Sequence, residues 1–356
     1  MKALPMVPGG GDRPRVTVLL PVHNGGAYLD AAVRSILGQT FPDFELLAID
    51  DGSTDGSGEV LRGYRDPRLR LLENGRNLGL VKTLNRGLTL SRGAYIARMD
   101  CDDVSLPERF ARQLRFLDTH PDIGVLGTCG ERINEDGKTV APFCQPLRHE
   151  AIRFCLHFFC PLTHPSVMMR KGVVLGAGGY LPGGPPLVGE RVPEDYDLWW
   201  RLSTTTRFAN LPDCLLLLRK HAGTVTARYM DEFRFQAARI NRERIEMRLG
   251  EGVREEVAEA MMSQRYEPPD LAREVFRTII RLYRSFVEEG LPAEAAKEIR
   301  QEVCEQLARV ALYRGNVFRI RGLLGEMSRL DPNFRHTRSH LLRRVEAKMF
   351  KKPMPH

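Results

Sequence analysis

Short apolar runs alternate with amphipathic stretches from Arg15 to about Lys220, and beyond His221 the pattern becomes almost wholly helical. The alternation signals βαβ units and a mostly parallel sheet. Val16–Val22 reads as the first strand, and residues 28–37 as an amphipathic helix entered through Asn24-Gly25-Gly26, where glycines permit a tight turn. A second strand over 44–49 ends in Asp50-Asp51, and a helix follows over 57–64. Residues 69–72 form a third short strand, 81–90 a helix stopped by Arg92-Gly93, and 94–99 a strand ending in Asp100. Ser105-Leu106-Pro107-Glu108 then has the capping-box pattern at the head of a helix reaching about Thr119.

In the later part, apolar residues at three- and four-residue spacing predict helices over 231–249, 271–289, 293–314 and 317–330. Residues 310–333 are loosely similar to one tetratricopeptide unit, although such units stabilise one another by stacking and no neighbouring repeat is evident. The chain thus divides into a disordered leader (1–14), an α/β domain (15–228), a helical region (229–334) and a basic tail (335–356). The last twenty residues hold six Lys/Arg against the single acid Glu346, with Leu341, Leu342, Val345, Met349 and Phe350 interleaved at helical spacing. That pattern suits a basic amphipathic helix lying on an acidic membrane surface, or else a solvated terminal helix packed on the protein.

At 356 residues and 42% hydrophobic, the chain can bury one large α/β core with an appended region, or two domains. No stretch approaches the roughly 18 apolar residues of a membrane span, and the Gly- and Pro-rich start has no secretory core, so the protein is expected to stay in the cytoplasm. Seven cysteines, an odd number without a CxxC pair, argue against a disulfide framework or a zinc site and for reduced thiols. The net charge of +8 would suit nucleic acid, anionic lipid or an anionic substrate.

Two acidic clusters narrow that choice. Asp50-Asp51-Gly52-Ser53-Thr54-Asp55 and Asp100-Cys101-Asp102-Asp103 each close an expected strand. In an open α/β sheet ligands bind in the crevice outside the carboxyl ends of the strands, so these acids converge on one site. Carboxylates so gathered repel unless a cation sits among them, and a hard divalent ion shared with substrate phosphates is the usual resolution.

Leu20-Pro21-Val22-His23-Asn24-Gly25-Gly26, Ile49-Asp50-Asp51-Gly52-Ser53-Thr54-Asp55, Asn77-Leu78-Gly79-Leu80, Arg98-Met99-Asp100-Cys101-Asp102-Asp103 and Pro193-Glu194-Asp195-Tyr196-Asp197-Leu198-Trp199 together resemble the motifs of family 2 glycosyltransferases, over roughly residues 16–228. The resemblance implies the GT-A fold, a Rossmann-like sheet with helices on both faces. It also implies transfer of a sugar from a nucleotide diphosphate to an acceptor with inversion at the anomeric carbon.

By that resemblance Asp102 ligates Mn²⁺ or Mg²⁺, Asp100 reaches the ribose or the metal shell, and His221 supplies a further metal or diphosphate ligand. Asp103 assists or caps the next helix. Pro21, Val22, Asn24, Asp50 and Asp51 contact the nucleotide, one of the two aspartates accepting from the base N3–H. Asp55 caps the helix over 57–64. Lys82 is a further nucleotide contact or a solvated helix lysine, and His23 stands where family members often carry tyrosine. Asp195 matches the general base, with Glu194 orienting it or touching acceptor, although a helix dipole would favour both acids in any case. His164 lines the acceptor side or buttresses the floor of the site.

Residues 198–202 do not form the Gln-x-x-Arg-Trp motif of processive synthases, which favours single, non-processive transfer. Residues 21–26 lack the basic Gly-rich signature of a sugar-nucleotide pyrophosphorylase. Nucleic-acid binding is disfavoured because carboxylates line the presumed crevice. The expectation is a metal-dependent inverting transferase in envelope or exported polysaccharide assembly. It takes a nucleotide-diphosphate sugar, UDP-sugar favoured, and a glycan or lipid-linked acceptor. It is placed in the cytoplasm, with peripheral contact at the inner face of the membrane through the basic tail, and its helical region is read as an appendage for homo-oligomerisation, membrane proximity or partner contact. The alternative is a catalytically inactive scaffold that interacts through that region.

Overall fold

The computed structural model describes residues 13–181 and 193–313. In chain order the elements are β1 (Val16–Val22), α1 (Leu29–Leu37), β2 (Phe44–Asp50), α2 (Ser57–Gly63), β3 (Leu69–Glu73), α3 (Leu80–Leu90), β4 (Tyr95–Arg98), β5 (Val104–Ser105), α4 (Arg109–Thr119), β6 (Ile123–Ile133), β7 (Thr139–Phe143), α5 (His149–Cys155), β8 (Met168–Arg170), α6 (Lys171–Gly176), α7 (Glu194–Leu202), β9 (Arg207–Arg219), α8 (Val225–Leu249), α9 (Glu255–Ser263), α10 (Pro269–Glu288) and α11 (Ala293–Leu312). The helix expected over 317–330, the basic tail, nearly all of the leader and most of the tetratricopeptide-like stretch lie outside the described residues.

The strands form one nine-stranded sheet in the order β3-β2-β1-β4-β8-β6-β9-β5, with β7 paired to β6. Every residue of β1 and β2 is buried, as befits central strands covered on both faces. β1 runs parallel to β2, from Val16↔Phe44 to Val22↔Asp50, and to β4, from Val16↔Tyr95 to Leu19↔Arg98; β2 runs parallel to β3. Parallel direction puts the loops after Val22, Asp50 and Arg98 at one edge, where such sheets bind ligands. The predicted alternation holds for this half. Beyond β4 the sheet is mixed: β4–β8, β6–β8, β6–β7 and β5–β9 are antiparallel and only β6–β9 is parallel.

Two small features of the second half serve the site. β5 pairs with β9 through Val104↔Leu217 and Ser105↔Leu216, which draws the turn after β4 against the end of β9. Fully buried Arg109 donates to the carbonyls of Arg98 and Val167 (2.9 and 3.2 Å) and to Gln113, lashing the end of β4 to α4. Ser105 lies in β5 rather than capping α4; its amide is spent on Ser35 and its hydroxyl accepts from Gln39, so no side chain caps that helix.

The chain packs as two compact units. The first draws on the chain to Leu147 and on Cys160–Met230, the second on Arg148–Phe159 and on the chain from Asp231. A division at 228/229 therefore misplaces Arg148–Phe159. Ala151, Phe154, Cys155 and Phe158 give this segment an apolar face that joins the helical core of Val257, Val275, Phe276, Ile279, Phe286, Ile299 and Leu307. α9 was also unforeseen, and α8 starts earlier than expected, with non-helical backbone at Tyr229. The expectation of uniformly reduced thiols fails at one pair. The β6–β7 hairpin brings Cys129 and Cys144 to a Cα separation of 4.4 Å and they are disulfide-bonded, whereas the other five cysteines are free. Among the described residues no helix is long and apolar enough to cross a membrane.

Phe286 anchors the helical unit, 1% exposed, edge-on to Phe154 at 5.3 Å and covered by the Arg248 guanidinium at 3.4 Å. Phe286→Ala is expected to cost about 3–5 kcal/mol, read as a fall in the urea midpoint. A loss below about 1 kcal/mol would show that the neighbours collapse into the space.

Candidate active site

The loop after β1 is fastened by its backbone to the loop after β2. Pro21 and Val22 are buried in β1, leaving main-chain groups to do any contacting. Asn24 takes a left-handed conformation (φ 53°), and its side-chain oxygen accepts from the amide of Thr54 at 2.8 Å. The amides of Asn24, Gly25 and Gly26 donate to Ser53 Oγ, Ser57 Oγ and Asp55 Oδ2, stitching this loop to the one after β2. Asp55 also accepts from the amide and hydroxyl of Ser57 at the start of α2.

The two aspartates after β2 differ. Asp51, 4% exposed, accepts from Asn74 Nδ2 and from the amides of Leu78 and Gly79 (2.6, 2.8 and 3.0 Å), so its carboxylate organises the Asn77-Leu78-Gly79 loop. Asp50 accepts from the Ser53 amide at 2.9 Å. Gly52, directly after them, has φ 71°, and a Cβ there would stand 2.5 Å from the carbonyl carbon of Arg76; only glycine lets the loops close this far. His23 spans the same gap, Nδ1 to the Asp51 carbonyl and Nε2 to Asn77 Nδ2, both at 3.0 Å. A ring with Nδ1–H donating and Nε2 accepting satisfies both. Lys82 is exposed on the first turn of α3.

After β4, Asp100, Asp102 and Asp103 each offer an oxygen within 4.8 Å of the others. Asp103 is 1% exposed; one of its oxygens accepts from the Arg219 amide at 2.7 Å, and the other is buried with no hydrogen-bond partner among the described residues. His221 Nε2 lies 3.0 Å from Asp102 Oδ2, and its Nδ1 accepts from the Gly223 amide, which places the proton of the neutral ring on Nε2, donating to Asp102. The imidazole rests against Tyr28 (4.9 Å), whose ring Arg219 covers at 4.5 Å. Burial, and then the charge of Asp100, pushes Asp102 up; the same causes, with Asp102 added, hold Asp103 well above the carboxylate range. Three hard oxygens, one orphaned, fit a divalent cation such as Mg²⁺ or Mn²⁺.

Within electrostatic reach of Asp100 lies the start of α7. Asp195 Oδ1 accepts from the Tyr196 amide at 2.7 Å, and Cys160 Sγ lies 3.7 Å from Oδ2. Glu194 Oε1 is 3.7 Å from His164 Nδ1, and His164 Nε2 meets the Tyr180 hydroxyl at 2.8 Å. Burial raises both acids, Glu194 to about 8 with Asp195 adding to the effect, while burial and then Arg98 hold His164 well below its usual range, neutral.

A family description, Glycosyl transferase family 2, matches residues 17–174. The O-antigen biosynthesis glycosyltransferase WbnJ of Escherichia coli is 36% identical over 214 residues, spanning 58% of this chain and 80% of WbnJ. The chain belongs to glycosyltransferase family 2. The amylovoran biosynthesis glycosyltransferase AmsE of Erwinia amylovora is 32% identical to this transferase over 203 residues, 56% of the chain and 73% of AmsE. S. aureus TarS 1-349, crystallised with UDP-GlcNAc, has a TM-score of 0.54 at 18% identity over 95% of this chain and 92% of its own. That likeness shows the GT-A fold.

The transferase thus groups the residues singled out in its sequence into a loop wall (Pro21, Val22, Asn24, Asp50, Asp51), an acidic turn (Asp100, Asp102, His221) and a helix start (Glu194, Asp195). Its main unforeseen member is Arg98. Its side chain is 4% exposed and ion-paired to Asp100, and its charge also reaches Glu194, Asp195 and Tyr180. A lone cation in an otherwise apolar strand was the available signal, since it must find a buried acid.

Glu194 leads to a test. Its folded value of about 8 exceeds the ordinary 4.5, so the folded state holds the proton more tightly. The stability this contributes is complete below about pH 4.5 and is lost as pH rises through about 8. Wild-type Tm should fall between about pH 5 and 8.5 more steeply than that of Glu194→Gln, and parallel curves would show that Glu194 is not held protonated.

Proposed function

We propose that the protein moves a single sugar from a nucleotide-diphosphate donor, UDP-sugar favoured, to an acceptor hydroxyl with inversion. The assignment rests most on one observation: a carboxylate trio that fits a cation and a half-buried acid pair at a helix start are tied electrostatically through Arg98. A divalent cation held by Asp100, Asp102 and Asp103, with His221 beside Asp102, supplies Lewis-acid neutralisation of the departing diphosphate when bound. The backbone of the Pro21 to Gly26 loop approaches the nucleotide, with Asp50 the carboxylate less engaged in holding loops and Asp51 the organiser of the neighbouring one.

Asp195 takes the acceptor hydroxyl proton as the oxygen attacks. Burial raises its proton affinity toward the working pH, where a general base is most effective. Glu194, held protonated near neutrality, can donate to an acceptor oxygen. The names of WbnJ and AmsE support a place in the assembly of an envelope or exported polysaccharide, with a glycan or lipid-linked acceptor.

Asp195→Asn is expected to leave nucleotide binding near normal and to cut transfer at least about a hundredfold, and full transfer by this variant would remove the base assignment. Asp102→Ala should weaken Mn²⁺-dependent binding of UDP in a calorimetric titration also run with GDP, dTDP and excess chelator. Chelator-sensitive binding that the variant leaves unchanged would put the cation elsewhere, and binding that the chelator leaves unchanged would remove the metal from donor binding.

A further inference from the structure

Asp195 is half-buried, and among the described residues its carboxylate has two hydrogen-bond partners besides its own backbone. Oδ1 is satisfied by the Tyr196 amide at 2.7 Å on its own helix. Oδ2 is met from a different part of the chain by the thiol of Cys160 at 3.7 Å, within the reach of a sulfur donor. The thiol has a single proton, which the Asp195 carboxylate shares with a second acceptor, the Leu162 carbonyl at 3.4 Å, in a turn stiffened by Pro161. The remaining charged or titratable groups facing Asp195 are Glu194 on α7, Arg98 on β4, and Tyr180 beyond α6, with His164 behind Glu194.

We propose that Cys160 is a positioning residue for Asp195, its weak S–H donor fixing the orientation of the carboxylate. The proposal rests on the reading of Asp195 as the general base. A carboxylate bonded on one oxygen only can turn about its last bond, and a base must stay aimed at the proton it takes. A hydroxyl in this place would also hold it, but a charge-assisted O–H bond stabilises the anion about twice as strongly as a neutral bond and makes a poorer base. A thiol supplies direction with little stabilisation. Burial holds the Cys160 thiol well above its ordinary range, so it stays protonated at any working pH and remains a donor. In the transfer step the acceptor proton passes to the Asp195 carboxylate and the thiol keeps its own.

The contact is read directly, without substrate, from the S–H stretching band in the infrared, isolated as the difference between wild type and Cys160→Ser. The band is expected at lower frequency than that of a free thiol, and to move when Asp195→Asn replaces the carboxylate by a weaker acceptor. An identical band in wild type and Asp195→Asn overturns the proposal. The functional arm follows Mn²⁺-dependent UDP release from UDP-glucose, UDP-galactose and UDP-GlcNAc against pH. Removing a donor to the anion raises the pH at which the base ionises, so Cys160→Ala should move the acid limb of kcat/KM up by about half a pH unit. Cys160→Ser should move it down, with nucleotide KM unchanged in both.

Acid limbs that superimpose, with only Tm or KM altered, show a merely structural role and overturn the proposal. Should Cys160→Ala fail to fold, the serine variant decides alone by the direction of its limb. Should Asp195→Asn release UDP at the wild-type rate, the base reading fails, and with it this inference. Should none of the three sugars be turned over, the infrared band decides.

Discussion

Five carboxyl groups, from Asp100, Asp102, Asp103, Glu194 and Asp195, are gathered partly or wholly buried, and among the described residues Arg98 is the guanidinium whose charge reaches both the acidic turn and the start of α7. A buried carboxylate without a partner protonates rather than stay charged. Arg98 spends its charge chiefly on Asp100, and the other acids are left above their ordinary range by burial. The site is therefore short of positive charge, which is the condition that suits a divalent cation and a diphosphate arriving together. The same shortage leaves Glu194 protonated near neutrality and keeps Asp195 a stronger base than an exposed aspartate.

The fold supports that balance at a few points. Three parallel strands, β1, β2 and β4, end at one edge, and the loops there are sewn by amides donating to Ser53, Ser57, Asp51 and Asp55. The two-residue β5 does more than its length suggests. By pairing with β9 it brings Arg219 to Asp103 and His221 to Asp102 across more than a hundred residues of chain. Buried Arg109 secures the other side of the turn by taking the carbonyl of Arg98.

Much of this was legible beforehand because short-range physics wrote it. Apolar runs and 3.6-residue periodicity located β1 to β4 and α1 to α3 to within a residue or two, and acids at strand ends marked the edge where sheets of this kind bind ligands. Where sequence reading failed, a long-range contact had overridden a local signal. Ser105 carries the right residue for a cap but is claimed by β9, and Arg148–Phe159 lies inside the α/β stretch yet packs with helices begun eighty residues later. Cys129 and Cys144 gave no spacing cue, and only the β6–β7 hairpin brings them together.

By itself the sequence determined the family, the order of the elements from β1 to β4 and the residue types of the site, because motifs and periodicity are properties of neighbours along the chain. Tertiary structure alone decided which acids share a counter-charge, that Asp51 organises a loop while Asp103 keeps an orphaned oxygen, and that a thiol reaches Asp195. Those outcomes depend on burial and on distances of a few ångströms between residues far apart in sequence. Electrostatic strength changes severalfold with both, and no pattern along the chain encodes either.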